Sequence, residues 1–154
     1  MQYRIFLFVP MIMCNEYLVE QVYFSIFSMK HITMNKQNEL LKTFFLHQTT
    51  IKMLHFQTST YGSHKALDEY LEKFDGNFDR YMEVSQGIFG KTDLKKLEIK
   101  VKTQTDKSID SNLSDFSELL TDLSNAYEDH PDLLAIRDEM LADVNQLRYL
   151  LTFK

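Results

Sequence analysis

The sequence predicts an all-α protein folded as an antiparallel four-helix bundle, and three observations favour this fold class. The 154 residues include only four Gly and two Pro, and so few helix breakers favour long helices over many short strands. Four stretches repeat apolar residues at three- and four-residue steps, the period of an amphipathic helix. No credible sheet is visible, and amphipathic helices without a sheet bury their apolar faces against each other.

The N-terminal residues 1–33 form an apolar extension, and the four-helix domain is assigned to residues 34–154. The run from Ile5 to Met13 follows a single Arg and could be a short signal-peptide core, although no clear small-residue cleavage site accompanies it. A docking segment and an upstream extension are the alternatives. Because no run of 18 apolar residues occurs, the sequence predicts no membrane-spanning helix.

The first predicted helix covers residues 36–57. Its apolar stripe contains Leu41, Phe44 and Ile51 and continues to His55. His47 also faces inward, but no other metal-binding residue follows it at helical spacing. We therefore expect His47 to be a core or interface residue.

The second predicted helix runs from about His64 to Ser85, with Ser63 as its N-cap and its end near Gly87 and Gly90. At about 100° per residue its side chains divide into three sectors. The core sector contains Leu67, Tyr70, Leu71, Phe74, Phe78, Tyr81 and Met82. The solvated sector, which has mixed charge, contains Lys65, Glu69, Lys73, Asn77 and Arg80.

Residues 91–107 are predicted to be an ordered connection. The stretch 97–102 alternates as a strand would, yet no partner strand is visible. The third predicted helix covers residues 111–128, and the fourth begins at Pro131, which suits the first position of a helix. The core residues expected in these two helices are Leu113, Phe116, Leu120, Leu123 and Tyr127, then Leu134, Met140, Leu141, Val144, Leu147 and Leu151.

The third sector of the second helix combines one imidazole with five carboxylates. Its members are His64, Asp68, Glu72, Asp75, Asp79 and Glu83. Like charges four residues apart repel, and a bound cation would reverse that repulsion. The plainer interpretation is an acidic surface stripe without a ligand. His55 favours a metal site, because it precedes this sector by one short turn and adds a second imidazole to a donor set suited to hard and borderline metals.

The order His-x8-His-x3-Asp-x10-Asp-x3-Glu resembles the ferroxidase motif of the Dps proteins, which are mini-ferritins of the ferritin-like superfamily. Its members here are His55, His64, Asp68, Asp79 and Glu83. The three later intervals agree with the Dps pattern, and the gap between the two His is shorter. The stretches at 55–58, 64–68 and 136–141 are also similar to an uncharacterised Dps-like family of large DNA viruses. The similarity covers residues 36–154.

The resemblance implies a ferritin-like bundle that binds iron and acts as a ferroxidase, oxidising Fe(II) to Fe(III) with peroxide or oxygen. It also implies a homodimer or larger homo-oligomer, because the metal site would be shared between two subunits. The implied ligands are His55, His64 and Asp68 from one subunit and Asp79 and Glu83 from its mate, with Glu72 and Asp75 behind them or on the entry path. The alternative is a non-enzymatic viral structural or interaction protein that keeps the bundle.

The charge and the cysteine content limit the partners and the compartment. A formal net charge of −5 without a clustered basic face disfavours nucleic acid as a partner. Cys14 is the only cysteine, so an intrachain disulfide is excluded. A reducing compartment follows most simply, namely the cytoplasm, or the virion if the protein is viral.

Overall fold

The computed structural model describes residues 36–93, 96–105 and 108–153. The apolar extension predicted at 1–33 lies outside the described residues, as does part of the predicted connection at 91–107. Within the described residues the regular secondary structure is entirely helical, which confirms the all-α prediction. The four helices are α1 at residues 36–57, α2 at Tyr61–Phe89, α3 at Ile109–Ala126 and α4 at Pro131–Leu150.

The beginning of α2 differs from the prediction. Thr60, not Ser63, is the N-cap: its backbone is extended, and its side-chain oxygen accepts a hydrogen bond from the Ser63 amide at 3.3 Å. That amide would otherwise lack an acceptor, because the first turn of a helix has no preceding carbonyls. The helix therefore begins at Tyr61, before the predicted start, and it ends at Phe89. Gly90 then adopts a φ of 93°, a conformation that favours glycine.

A single hydrophobic core contains residues from all four helices. Phe44 of α1 is fully buried, and its ring contacts the rings of Phe74, Phe78, Tyr81 and Phe116 edge to face, with centroids 5.3–6.1 Å apart. Such edge-on pairs are favourable beyond the area they bury. Every residue predicted for the core sector of α2 is buried, so that assignment is confirmed.

The core face of α4 was predicted incorrectly in part. Leu134, Leu141 and Leu151 are only partly buried, whereas Leu133 and Ile136 are almost completely buried. Apolar residues lie on more than one face of α4, so their period alone did not select the buried side. The packing against α2 and α3 decides which of the leucines face the core.

The two ends of α1 contact opposite ends of α2. Near the beginning of the described part of α1, the side-chain amide of Gln37 donates a hydrogen bond to the Ser85 hydroxyl at 3.0 Å. Near the end of α1, the carbonyl of His55 lies 3.2 Å from Nδ1 of His64. The two helices are thus in contact near both ends of α1.

Polar contacts connect α4 to both α2 and α3. The charged pairs are Lys73 with Asp143 at 3.3 Å, Arg80 with Glu139 at 3.5 Å, and, between α3 and α4, Asp110 with Arg148 at 2.9 Å. These pairs are partly exposed, so each contributes little free energy to the stability of the bundle. None of the described helices is both long enough and apolar enough to cross a membrane, as the sequence predicted.

Candidate metal centre

Three of the five predicted ligands lie together at the turn between α1 and α2. His55 is in the last turn of α1, and His64 and Asp68 occupy the first two turns of α2. The ring centroids of the two histidines are 4.0 Å apart, and Nε2 of His55 is 4.0 Å from Oδ1 of Asp68. These three residues are called the histidine cluster below. The early cap at Thr60 keeps the turn short and so brings the cluster together.

His64 is held in one tautomer by the backbone. Its Nδ1 lies 3.2 Å from the carbonyl oxygen of His55, and a carbonyl can only accept a hydrogen bond. Nδ1 must therefore carry the proton, which leaves the lone pair on Nε2 of an exposed ring. Metal-binding histidines are commonly oriented in this way, with one nitrogen donating to a carbonyl and the other free to bind the ion.

His55 is buried without completing its hydrogen bonds. It is only 6% exposed, and its Nδ1 has no partner among the described residues. Its Nε2 faces Asp68 at 4.0 Å, which is too long for a hydrogen bond. Buried polar atoms are nearly always paired, so an unpaired imidazole beside a carboxylate is a feature that a ligand would explain.

Lys65 occupies part of the space around Asp68. Its ammonium nitrogen lies 3.9 Å from Oδ2 of Asp68, whose side chain is 51% exposed. The sequence placed Lys65 in the solvated sector and missed this contact, although the spacing of three residues on a helix could have indicated it. The pair is weak because it is exposed to water, so a metal ion could displace the ammonium at small cost.

The other two predicted ligands lie farther along α2. Asp79 and Glu83 are exposed, and in the described part of the chain neither carboxylate forms a hydrogen bond or an ion pair. At the rise of an α-helix, Asp79 lies about 22 Å from His64. One chain therefore does not bring the two sets of ligands together.

The predicted supporting carboxylates have different surroundings. Glu72 is exposed on α2. Asp75 accepts a hydrogen bond at 2.7 Å from the side-chain amide of Gln48, which connects α2 to α1. Asp75 thus already has a structural contact, one that the sequence did not reveal because Gln48 lies on another helix.

The residues described in α1 to α4 and their connections include no group of three or more His, Cys, Asp and Glu side chains arranged to hold a metal ion. In the histidine cluster the two rings are stacked, with only 28° between their planes. Imidazole lone pairs lie in the ring plane, so two nearly parallel rings cannot both point at one ion. One ring must rotate before His55 and His64 can bind the same metal.

A second buried histidine lies in the middle of α1. Nε2 of His47 is 2.7 Å from the hydroxyl of Tyr70, and its ring stacks on Phe116 with centroids 3.6 Å apart. Burial lowers the pKa of His47 from 6.5 to about 3, so the ring is neutral at pH 7. Burial, and to a smaller extent the charge of Asp143, raise the pKa of Tyr70. His47 is a core residue, one of the two roles predicted for it.

Comparison with protein families gives a match over the C-terminal two thirds of the chain. A family model described as a family of unknown function, DUF5856, matches residues 55–151. No curated protein and no solved structure matches this chain. The matched region begins at His55 and includes the whole histidine cluster together with Asp79 and Glu83. Since it spans well over half of the sequence, the chain belongs to the DUF5856 family of unknown function.

Proposed function

We propose that this protein is a ferritin-like four-helix bundle that binds and oxidises iron at a site shared by two copies of the chain. The order of side-chain contacts supports antiparallel neighbours. The beginning of α1 contacts the end of α2, and the beginning of α3 contacts the end of α4 through Asp110 and Arg148. Lys73 and Arg80 of α2 pair with successively earlier residues of α4, which also indicates opposite directions.

This arrangement makes α2 and α3 parallel, so the connection between them has to run the length of the bundle. The ring of Phe89 at the end of α2 contacts Tyr127 just after α3, as parallel helices require. The connection at residues 90–108 can span about 60 Å when extended, and α2 is about 43 Å long. One long crossover is the connectivity that distinguishes ferritin-like bundles from simple up-and-down bundles.

The histidine cluster supplies the first half of the proposed site. Its donors are two imidazoles and one carboxylate, which suit Fe(II), and the neutral tautomer of His64 leaves Nε2 ready to bind. The unpaired Nδ1 of buried His55 allows its ring to turn without losing a hydrogen bond. That turn would release the stacked arrangement, and Asp68 would exchange the Lys65 ammonium for the metal ion.

The carboxylates of Asp79 and Glu83 supply the second half, from another copy of the chain. They are exposed and unpaired in the described residues, and they share the acidic sector of α2 with Asp68. Two copies related by a two-fold axis with α2 antiparallel to α2 would bring the carboxylate end of each helix to the histidine end of the other. A two-fold dimer would then carry two equivalent sites.

Iron is the substrate in this proposal. Two Fe(II) ions each lose one electron, and hydrogen peroxide accepts both electrons to become two hydroxide ions. With dioxygen, four Fe(II) ions and four protons yield two water molecules. The protein binds Fe(II), and its carboxylates stabilise the Fe(III) product, because the ferric ion prefers anionic oxygen ligands.

The observation that carries the proposal is the convergence of His55, His64 and Asp68 from two helices, together with the unpaired Nδ1 of the buried His55 ring. The direct test is anaerobic titration with Fe(II), followed by peroxide, with the ferric absorbance recorded. Wild type should bind Fe(II) saturably and oxidise it, whereas His64→Ala and Glu83→Ala should lose both properties. Glu69→Ala, an exposed carboxylate in the solvated sector, is the matched control. Identical traces for all four proteins would refute the proposal.

The shared site has a stricter test in a mixture of two inactive variants. His64→Ala and Glu83→Ala are unfolded together and refolded at equal concentrations. In a mixed dimer one site has both defects and the other has none, so random pairing restores about a quarter of the wild-type sites. If the mixture stays as inactive as its components while dimers form, the ligands do not come from different subunits.

The second candidate function is a non-enzymatic structural or interaction protein. It is favoured by two exposed aromatic side chains beside the histidine cluster: Phe56 is 72% exposed and Tyr61 is 78% exposed. Large exposed aromatic residues are typical of protein interfaces. The same mixture separates the two functions, because an interaction protein would form mixed dimers without recovering any iron oxidation.

A further inference from the structure

An apolar groove runs along the surface between α1 and α3. At the beginning of the described part of α1 it contains a cavity of about 470 Å³, bounded by Lys36, Leu40 and Thr43 on one side and Leu119, Leu123 and Ala126 on the other. A smaller cavity of about 170 Å³ continues it toward Leu46 and Asn112, and the two share Thr43 and Leu119. From Lys36 to Leu46 the groove is about 15 Å long.

The groove is a place where a further segment would complete the packing. Most of the surface that its lining residues expose is apolar, and none of the described residues fills it. Apolar surface left open to water is unfavourable in proportion to its area. Continuous apolar patches on a protein surface usually mark a binding site.

We propose that residues 17–27 of this same chain bind in the groove. All of them except Glu20, Gln21 and Ser25 are apolar or aromatic. Leu18, Val22 and Ile26 recur at four-residue steps, as on one face of a helix. Eleven residues in a helix would extend about 16 Å, which matches the length of the groove.

The position of the segment in the chain favours it over a second copy. Residues 28–35 join it to Lys36, which itself lines the groove, and eight residues can span about 28 Å. That is enough for the chain to turn back along α1. A tether this short gives an effective concentration in the millimolar range, which a separate molecule would not reach at ordinary protein concentrations.

The turn back along α1 also predicts the direction of the segment. Residue 27 would lie near Lys36, and residue 17 near the end of the groove at Leu46 and Asn112. Cys14, the only cysteine in the chain, precedes residue 17 by three positions. A label on Cys14 would therefore lie near Asn112 and Asp115 and farther from the Arg80–Glu139 contact, which joins α2 and α4, the two helices that do not line the groove.

The test attaches a nitroxide spin label to Cys14 of the full-length, isotopically labelled protein and measures amide signals by NMR. The amide signals of Asn112 and Asp115 should lose intensity, and that of Glu139 should keep it. In a second sample, protein that carries the spin label but no isotope label is mixed with isotopically labelled Cys14→Ser protein, which carries no spin label. Loss at Asn112 in this mixture as well as in the first sample would show that a second copy fills the groove, and loss in neither sample would show that the segment does not bind there. Both results overturn the proposal.

Two single-charge variants make the test specific to the groove. Ala126 lines the cavity and is exposed, so Ala126→Glu introduces a carboxylate into the groove without disturbing the core. Asn125→Glu adds the same charge one residue away, outside the groove. Ala126→Glu should restore the Asn112 signal in the spin-labelled protein, and Asn125→Glu should leave it weakened. Equal behaviour of the two variants would contradict the proposal.

Discussion

His47 and His55 lie about two turns apart on the buried side of α1, but their surroundings differ. Nε2 of His47 is hydrogen-bonded to the Tyr70 hydroxyl at 2.7 Å, and its ring is stacked on Phe116, so its side chain has both a hydrogen-bond partner and a packing contact within the core. His55 is buried to a similar extent, yet its Nδ1 has no partner in the described part of the protein and its Nε2 is 4.0 Å from Asp68. Burial does not separate a structural histidine from a candidate ligand; the completeness of its hydrogen bonds does.

The largest expected difference between the two histidines is in stability. His47→Ala should lower the free energy of unfolding by about 3–4 kcal/mol, because it leaves a cavity and a buried Tyr70 hydroxyl without a partner. His55→Ala should cost less than half as much, since His55 has no side-chain hydrogen bond to lose. Urea unfolding at pH 7 measures both values. Equal losses would mean that His55 is as structural as His47.

For stabilisation by a bound metal ion the order of the two histidines should be reversed, so that His55 matters more than His47. With free Fe(II) at one hundred times the dissociation constant, an anaerobic sample of wild type should gain about 2.7 kcal/mol of stability. His47→Gln should keep this gain, and His55→Ala should lose it. Thermal unfolding with and without Fe(II) is the measurement, and Ca²⁺, which prefers all-oxygen sites, is the control ion. A full Fe(II) gain in His55→Ala would exclude His55 as a ligand.

The pH dependence of stability sharpens the contrast further. The pKa of His47 is about 3 in the folded protein and 6.5 for an ordinary histidine, so below pH 6.5 the unfolded chain binds a proton that the folded chain rejects. The free energy of unfolding that depends on a neutral His47 is therefore fully present above pH 6.5 and declines as the pH falls toward 3. By pH 5 the free energy of unfolding should have fallen by about 2 kcal/mol.

His47→Gln should remove that decline, because an amide does not titrate but can still bond to the Tyr70 hydroxyl. Urea unfolding between pH 4 and pH 7 compares the two proteins. The difference between their stabilities should narrow as the pH falls. Parallel pH profiles for wild type and His47→Gln would show that His47 is not the group responsible.

The smallest expected effect concerns Lys65. Lys65→Met removes the ammonium from Asp68 and should raise the affinity for Fe(II) up to about fivefold, the equivalent of about 1 kcal/mol for an exposed ion pair. Lys42→Met is a close control, since Lys42 pairs with Glu39 at the same helical spacing and the same 3.9 Å, away from the site. Anaerobic Fe(II) titration gives the affinities. A similar gain in both variants would indicate a general charge effect.

Much of the fold was predictable because helix signals are local. The apolar periods placed all four helices, and Pro131 gave the first residue of α4. The start of α2 was missed because Thr60 and Ser63 are both good caps, and the sequence does not say which hydroxyl faces the free amide. The core side of α4 was only partly predicted, because Leu133 and Leu134 are adjacent and equally apolar.

The candidate site was predictable to a similar degree. The position of His55 on the buried stripe of α1 followed from its spacing, and its burial is confirmed. The contact of Lys65 with Asp68 was within reach of the same reasoning. The stacking of His55 on His64 was not, because it depends on the angle between α1 and α2.

The sequence by itself determined where the helices lie and which residues bear imidazole and carboxylate, because period, caps and breakers act over a few neighbouring residues. Only the tertiary structure decided that the Tyr70 hydroxyl forms a hydrogen bond with His47, that the Gln48 amide forms one with Asp75, and that His55, beside His64, is left with an unpaired nitrogen. Each of these contacts joins two helices. Their rotation and spacing are set by how the whole core packs, and no short stretch of sequence contains that information.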